Sequence, residues 1–81
     1  MLEKKIADIV TKTLGITSEE YALSLGVGDI PQWDSLAHVT LLQHVEKEFN
    51  FTFEVADALD IETVDDLVDK IKEYLTGTTT A

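Results

Sequence analysis

The sequence predicts an all-α domain: a small four-helix bundle with three main helices, a short third helix and a long loop between the first two. Apolar residues recur with a helical period in three segments. The one stretch that resembles a strand, residues 51–55, is short and has no partner strand. The chain of 81 residues leaves room for a single core. We therefore expect one domain over residues 1–76, followed by a frayed tail over residues 77–81.

The first and last helices have the clearest amphipathic patterns. The first should end before Gly15, which occupies the position of a helix C-terminal cap. Its apolar side is formed by Leu2, Ile6, Ile9, Val10, Thr13 and Leu14. The last should begin at Glu62 or Thr63, with Asp65 and Asp66 in the first turn, where the helix dipole favours acids. Its apolar arc is formed by Val64, Leu67, Val68, Ile71, Tyr74 and Leu75.

The middle helix is predicted over residues 35–49. On a helical wheel its inward stripe comprises Val39, Leu42, Val45 and Phe49, whereas Leu36 lies on the outward face. One short helical turn is expected near residues 56–59. Core positions after the middle helix are assigned to Phe51, Phe53 and Leu59.

Residues 15–34 form a long connection, which is unusual unless it is functional or packed by its own side chains. Thr17 and Glu20 have the spacing of a capping box, which predicts a short turn. Its apolar anchors are predicted to be Ile16, Tyr21, Leu23, Leu25, Val27 and Ile30.

Composition excludes several classes of function. Sixteen acids oppose six lysines, and the formal net charge of −10 disfavours binding to nucleic acids. This acidity favours docking onto basic patches of other proteins, although solubility alone would also explain it. No apolar run approaches the roughly 18 residues of a membrane span. Without cysteine, the chain has no disulfide, thiolate metal site or thiol nucleophile. A cytoplasmic, monomeric protein is expected.

The stretch DIPQWDSLAHV, residues 29–39, presents Ser35 where the middle helix begins. Asp34 or Ser35 is an ordinary N-cap residue, worth about 1 kcal/mol. The Ser35 hydroxyl could instead be an attachment point, since a phosphoester there would be stabilised by the helix dipole and free N–H groups. Leu36, exposed beside it, is a candidate contact for a partner protein.

The Asp34-Ser35-Leu36 triplet, followed by VTLLQHVEKEF, resembles the attachment motif of acyl carrier proteins. The similarity extends over nearly the whole chain: the first helix, Gly15, the long loop, the triplet and the final IETVDDLVDKI helix occur in family order. The triplet alone is a weak signal, but its position in an acidic helical chain of this length makes the match strong.

The resemblance implies that Ser35 receives a covalent 4'-phosphopantetheine arm from coenzyme A, transferred by a separate Mg²⁺-dependent phosphopantetheinyl transferase. The thiol of the arm carries acyl groups as thioesters between acyl-loading ligases or synthases of a fatty-acid, polyketide or related specialised pathway. The carrier itself would not be an enzyme. Asp34 would help to position the modification. Residues expected to contact partner enzymes are Trp33, Leu36, Thr40, His44 and Glu48.

Two departures from the family pattern point to a stand-alone carrier of a specialised pathway. Trp33 and Gln32 precede the triplet, where fatty-acid-synthesis carriers usually have a small residue after a glycine. Trp33 either packs the loop onto the bundle or belongs to the docking surface. Lys47 and His44 lie on the outward face of the middle helix, where housekeeping carriers tend to have acids.

The two histidines have separate interpretations. His38, one turn from Ser35, falls inside the apolar stripe and is either a half-buried core residue or a gate to an acyl groove. His44 points outward, and two histidines on opposite sides of a helix do not make a metal site.

Two alternatives remain open at this stage. The first is a carrier of a different cargo, such as an aminoacyl, peptidyl or D-alanyl group loaded by an adenylating ligase. The second is an acidic interaction module that is never modified and would be indifferent to Ser35→Ala. A calcium-binding EF-hand is excluded because its loop motif is absent.

Overall fold

The computed structural model describes residues 2–76. It contains four helices: α1 (Leu2–Leu14), α2 (Ser35–Phe49), α3 (Val55–Asp60) and α4 (Val64–Thr76). Apart from one isolated bridge between Gly26 and Thr63, this part of the chain forms no β-structure. The all-α prediction is confirmed, including the short third helix and the long loop before α2. The predicted tail, residues 77–81, lies outside the described residues.

Helices α1 and α4 bury most of their predicted apolar residues, except that Leu75 is 46% exposed, and capping residues fix the end of α1 and the start of α4. The N–H groups of Gly15 and Ile16 both donate to the carbonyl of Thr11, at 2.9 and 3.1 Å, and Gly15 adopts a left-handed φ of 70°. At the start of α4, Thr63 Oγ1 accepts from the Asp66 N–H at 3.1 Å, so Thr63 is the capping residue. The buried side chains of these helices are Ile6, Val10, Leu14, Val64, Leu67, Val68 and Ile71.

The predicted inward stripe of α2 is partly wrong. Leu42 and Val45 are buried as expected, but Val39 is 52% exposed and its place is taken by the fully buried Leu41. Apolar residues lie on several sides of α2, so the helical period alone does not determine which side faces the core.

A second error concerns Leu59, which was assigned to the core and is 74% exposed. Helix α3 is only six residues long and buries none of its side chains. The core is closed on either side of it by Phe53 and Ile61.

Polar contacts anchor α3 against α4. The Tyr74 hydroxyl donates to Asp57 and accepts from the Glu54 N–H at 2.9 Å. Lys70 forms an ion pair with Asp57 at 3.2 Å. The hydrogen bond from Tyr74 and the nearby Lys70 hold the pKa of the Asp57 carboxyl below its usual value. These contacts place α3 beside the bundle without burying it.

Backbone hydrogen bonds hold the middle of the long loop. Leu23 and Leu25 accept from the N–H groups of Asp65 and Val64, each at 2.9 Å, and the Val27 N–H donates to Glu62 at 2.9 Å. The loop is therefore fastened to the start of α4. Along this segment the predicted anchors are only partly confirmed: Ile16 is buried, and Tyr21, Leu25 and Ile30 pack against the core, but Leu23 and Val27 are exposed.

Local turns organise the two ends of this loop. Thr17 and Glu20 form the predicted capping box: the Thr17 N–H donates to Glu20 Oε1 at 2.9 Å, and the Glu20 N–H donates to Thr17 Oγ1 at 3.2 Å. Near α2, the Gly28 N–H donates to the Trp33 carbonyl at 2.8 Å. Gly28 has a φ of 88°, a conformation that glycine adopts without steric cost. The second of these turns leads directly into α2.

Candidate functional site

Ser35 is the first residue of α2, and its side chain is exposed. Asp34 precedes it in an extended conformation and caps the helix, accepting from the Ala37 N–H at 2.8 Å. The Asp34 carbonyl accepts from His38 at 2.9 Å, which closes the first turn. Asp34 therefore supplies the cap, and the Ser35 hydroxyl is free for another role.

Ser35 lies at the end of α2 where backbone N–H groups lack intrahelical acceptors. The first N–H groups of a helix have no intrahelical acceptor, and Asp34 satisfies that of Ala37. For the N–H groups of Ser35 and Leu36, no acceptor is found within residues 2–76. A helix N-terminus with free N–H groups stabilises negative charge, so a phosphodiester on Ser35 fits this position.

Trp33, two residues before Ser35, is fully buried. Its Nε1 donates to His38 Nδ1 at 3.1 Å, and the two ring centroids are 6.0 Å apart. The prediction that Trp33 contacts partners is therefore wrong for its side chain. The interpretation that it packs the loop onto the bundle is confirmed, because a buried indole closes the core beneath the start of α2.

His38 is half-buried and joins three elements. It belongs to α2, accepts from Trp33 of the loop and hydrogen-bonds the backbone of Ala58 in α3. Burial lowers its pKa below the ordinary value for histidine, although the bond to Ala58 opposes this. The neutral ring thus holds α3 and the loop near Ser35, as expected of a satisfied core histidine.

A shallow groove of about 340 Å³ lies beside His38, between the loop and α3. Its walls are formed by Val27, His38, Ala58, Leu59, Ile61 and Glu62. Most of these side chains are apolar, and His38 places the groove one turn from Ser35. The sequence analysis suggested a groove beside His38, but by assigning Leu59 to the core it missed one of the groove's walls.

Large apolar side chains are exposed on the first two turns of α2 and on α3. They are Leu36 at 77%, Val39 at 52%, Val55 at 76% and Leu59 at 74%. Single exposed apolar residues are common, but four in two neighbouring helices are typical of a contact surface. Of these four, only Leu36 was predicted: Val39 was assigned to the inward stripe of α2, Leu59 was assigned to the core, and no contact was predicted for Val55.

The other predicted contact residues divide into two groups. Thr40 is half-buried, and its hydroxyl donates to the Leu36 carbonyl at 3.2 Å. His44 and Glu48 are exposed but face α1: His44 Nδ1 is 2.9 Å from Thr13 Oγ1, and Glu48 pairs with Lys5 at 3.3 Å. They line a separate groove at the other end of α2.

No group of three or more potential metal ligands is present within residues 2–76. Over the same residues, no helix has the length and hydrophobicity needed to cross a membrane.

Comparisons with known proteins agree with this geometry. Residues 32–71 match the family described as the phosphopantetheine attachment site, a range that includes Ser35. Acyl carrier proteins of two Porphyromonas gingivalis strains are each 34% identical over 74 residues, covering 91% of this chain and 95% of theirs. The acyl carrier protein of Rickettsia bellii is 32% identical over 73 residues, covering 90% of both chains.

The helical fold and the matched segment define a phosphopantetheine-binding domain. The chain belongs to the acyl carrier protein family. Its cofactor is a covalently attached 4'-phosphopantetheine, which supplies the thiol that this cysteine-free chain lacks.

Proposed function

We propose that this protein carries acyl groups as thioesters on a phosphopantetheine arm attached to Ser35 Oγ. One observation supports this assignment above the others: Ser35 is exposed at a helix N-terminus whose capping is already provided by Asp34. The helix does not need the serine as a cap, which removes the main structural explanation for its presence.

The chain depends on another protein to activate this hydroxyl. Nucleophilic attack by a serine requires an adjacent base, and the two histidines are occupied elsewhere, by Trp33 and Thr13. A phosphopantetheinyl transferase supplies the base and the Mg²⁺. The domain itself performs no catalysis, acts as a monomer and works in the cytoplasm.

Partner enzymes would dock around the attachment point. Leu36 and Val55 present apolar side chains there, and eight acids spread over α3, α4 and their flanks would attract basic partner surfaces. The acids are Glu54, Asp57, Asp60, Glu62, Asp65, Asp66, Asp69 and Glu73. Because α2 has no acid before Glu46, near its end, we propose a dedicated partner set from a specialised acyl pathway.

The test is the intact mass after incubation with coenzyme A, Mg²⁺ and a broad-specificity phosphopantetheinyl transferase. The parent should gain one phosphopantetheine, and Ser35→Ala should gain none. Ser24→Ala is the matched control, because Ser24 is an exposed serine of the loop and its replacement should leave the gain intact. If Ser35→Ala were modified, or the parent were not, the assignment of Ser35 would be wrong.

The pathway is tested with the holo form. A ketoacyl synthase of general fatty-acid synthesis should use the acylated protein less well than it uses a housekeeping carrier. Equal use would contradict the proposal of a dedicated partner set, while leaving the attachment to Ser35 unaffected. Loading by an adenylating amino-acid ligase would instead assign an aminoacyl cargo.

A further inference from the structure

A second groove lies between α1 and α2, away from the attachment site. Its volume is about 510 Å³, and it is lined by Ile9, Lys12, Thr13, His44, Lys47 and Glu48. The contact of Thr13 with His44 and the ion pair of Lys5 with Glu48 hold the two helices together across it. The groove is therefore preformed, with walls set by the packing of α1 on α2.

The charge of this groove is opposite to that of the molecule. The protein has a formal net charge of −10, yet the groove contains two lysines and a single acid. That acid, Glu48, is already paired with Lys5. Lys12 and Lys47, like Lys4, form no ion pair within residues 2–76, whereas Lys5, Lys70 and Lys72 all do.

The positions of the two lysines have a partial structural explanation. Lys12 and Lys47 each lie in the last turn of their helix, where the helix dipole favours a cation. That interaction leaves both ammonium groups exposed, so they remain available to carboxylates. Between them, Ile9 and the aliphatic stems of the lysines present an apolar surface.

From this arrangement we infer that the α1–α2 groove is a second docking surface, whose occupant is an acidic amphipathic helix of a partner protein. An apolar side chain of that helix contacts Ile9, and flanking carboxylates pair with Lys12 and Lys47. The partner is thus opposite in charge to the basic surfaces that the acids of α3 and α4 attract.

The location allows both surfaces to be used at once. Lys47 lies about 18 Å along α2 from Ser35 at the usual helical rise. A helix in the groove leaves the attachment serine accessible, so a partner bound there holds the carrier while other enzymes act on its arm. This role as a tether rests on the proposed carrier function, whereas the binding itself does not.

The experiment uses the full-length protein and two synthetic helical peptides. One has leucine at i, i+4 and i+7 with glutamate at the flanking positions, and the other has lysine in place of every glutamate. Backbone amide shifts of the ¹⁵N-labelled protein are followed during titration. The glutamate peptide should shift Ile9, Thr13 and His44, and the lysine peptide should shift α3 and α4 instead.

Charge variants distinguish binding in the groove from a general effect of the protein's charge on peptide binding. The double variant Lys12→Glu/Lys47→Glu should weaken binding of the glutamate peptide about tenfold, as expected for two exposed ion pairs. Lys4→Glu is the matched control: Lys4 is exposed on α1 but does not line the groove, so this change should have less than a twofold effect. Because all three lysines are exposed, circular dichroism should show unchanged helix content.

Three results of the peptide titrations would overturn the inference: no shift of the groove amides, equal weakening by Lys4→Glu and the double variant, or glutamate-peptide shifts centred on Ser35. Concentration-dependent shifts of the groove without peptide would assign it to a second copy of this chain and also overturn it. Modification of Ser35, measured by mass in the same samples, reports on the carrier function separately.

Discussion

The hydrogen bond between Trp33 and His38 should make the stability of the protein depend on pH. The fully buried indole donates to Nδ1 of a half-buried imidazole, which must be unprotonated at that atom to accept. Protonation of His38 would place two N–H groups against each other and leave the buried indole unsatisfied. Such an unsatisfied donor costs roughly 1–3 kcal/mol.

The direction of the effect follows from the pKa of His38. Burial lowers this pKa in the folded state, so the unfolded chain binds the proton first as the pH falls. The contribution of His38 to the free energy of unfolding is fully present above the unfolded-state pKa of about 6.5. It is lost as the pH drops towards the lower folded-state pKa. For one proton, the free energy of unfolding changes by at most about 1.4 kcal/mol per pH unit, and solvent around the half-buried ring reduces this change.

The assay is urea unfolding followed by far-ultraviolet circular dichroism between about pH 7.5 and 5.5. His38→Gln is the matched control, because its carbonyl can accept from Trp33 and does not titrate. The free energy of unfolding of the parent should fall relative to this variant on acidification. All other ionisable groups are common to both proteins, so their contribution cancels in the difference.

A difference that stays constant over this pH range would refute the reasoning. A double-mutant cycle gives an independent check: Trp33→Phe combined with His38→Leu should show a coupling energy of about 1 kcal/mol near neutral pH and a smaller one at the acidic end. Since Trp33 is the single tryptophan, its fluorescence should also report whether the indole becomes exposed.

Three further predictions concern the packing that presents the site, and each is measured by urea unfolding. Asp34→Ala should cost about 1 kcal/mol of stability, because it removes the cap of α2; Asp34→Asn, which can still accept, should cost less, and equal losses would exclude capping as the cause. Gly26→Ala should cost about 1–3 kcal/mol, because its new Cβ would lie 2.8 Å from the carbonyl oxygen of Glu62; an unchanged stability would show that this close approach relaxes freely. Leu41→Ala should cost about 2–5 kcal/mol because Leu41 is fully buried, and Val39→Ala no more than about 0.5 kcal/mol because Val39 is exposed. The reverse order would show that the stripe predicted from the helical wheel faces the core after all.

The elements that sequence predicts well are those whose signals are local. Helices α1 and α4 each have one apolar side, and Gly15 and Thr63 mark an end and a start, so their bounds and buried sides follow from periodicity and caps. The start of α2 is equally local, because Asp34 and Ser35 are adjacent and the cap needs no distant partner.

What sequence does not predict depends on distant contacts. Helix α2 has apolar residues on several sides, so only the assembled bundle shows that Leu41 is buried and Val39 exposed. Burial of Trp33 in the core is likewise a property of the assembled bundle. The α1–α2 groove requires the contact of Thr13 with His44, residues 31 positions apart.

Main-chain hydrogen bonds hold the long loop to the start of α4, and this affects how the sequence of such a domain can change during evolution. Leu23, Leu25 and Val27 make their hydrogen bonds to the start of α4 through backbone groups, and the side chains of Leu23 and Val27 are exposed. The identity of Leu23 and Val27 is therefore largely independent of the bonds that fix the approach to Ser35. Substitutions on this surface can change which proteins recognise the domain at little cost to its architecture, so partner choice and fold can evolve almost separately.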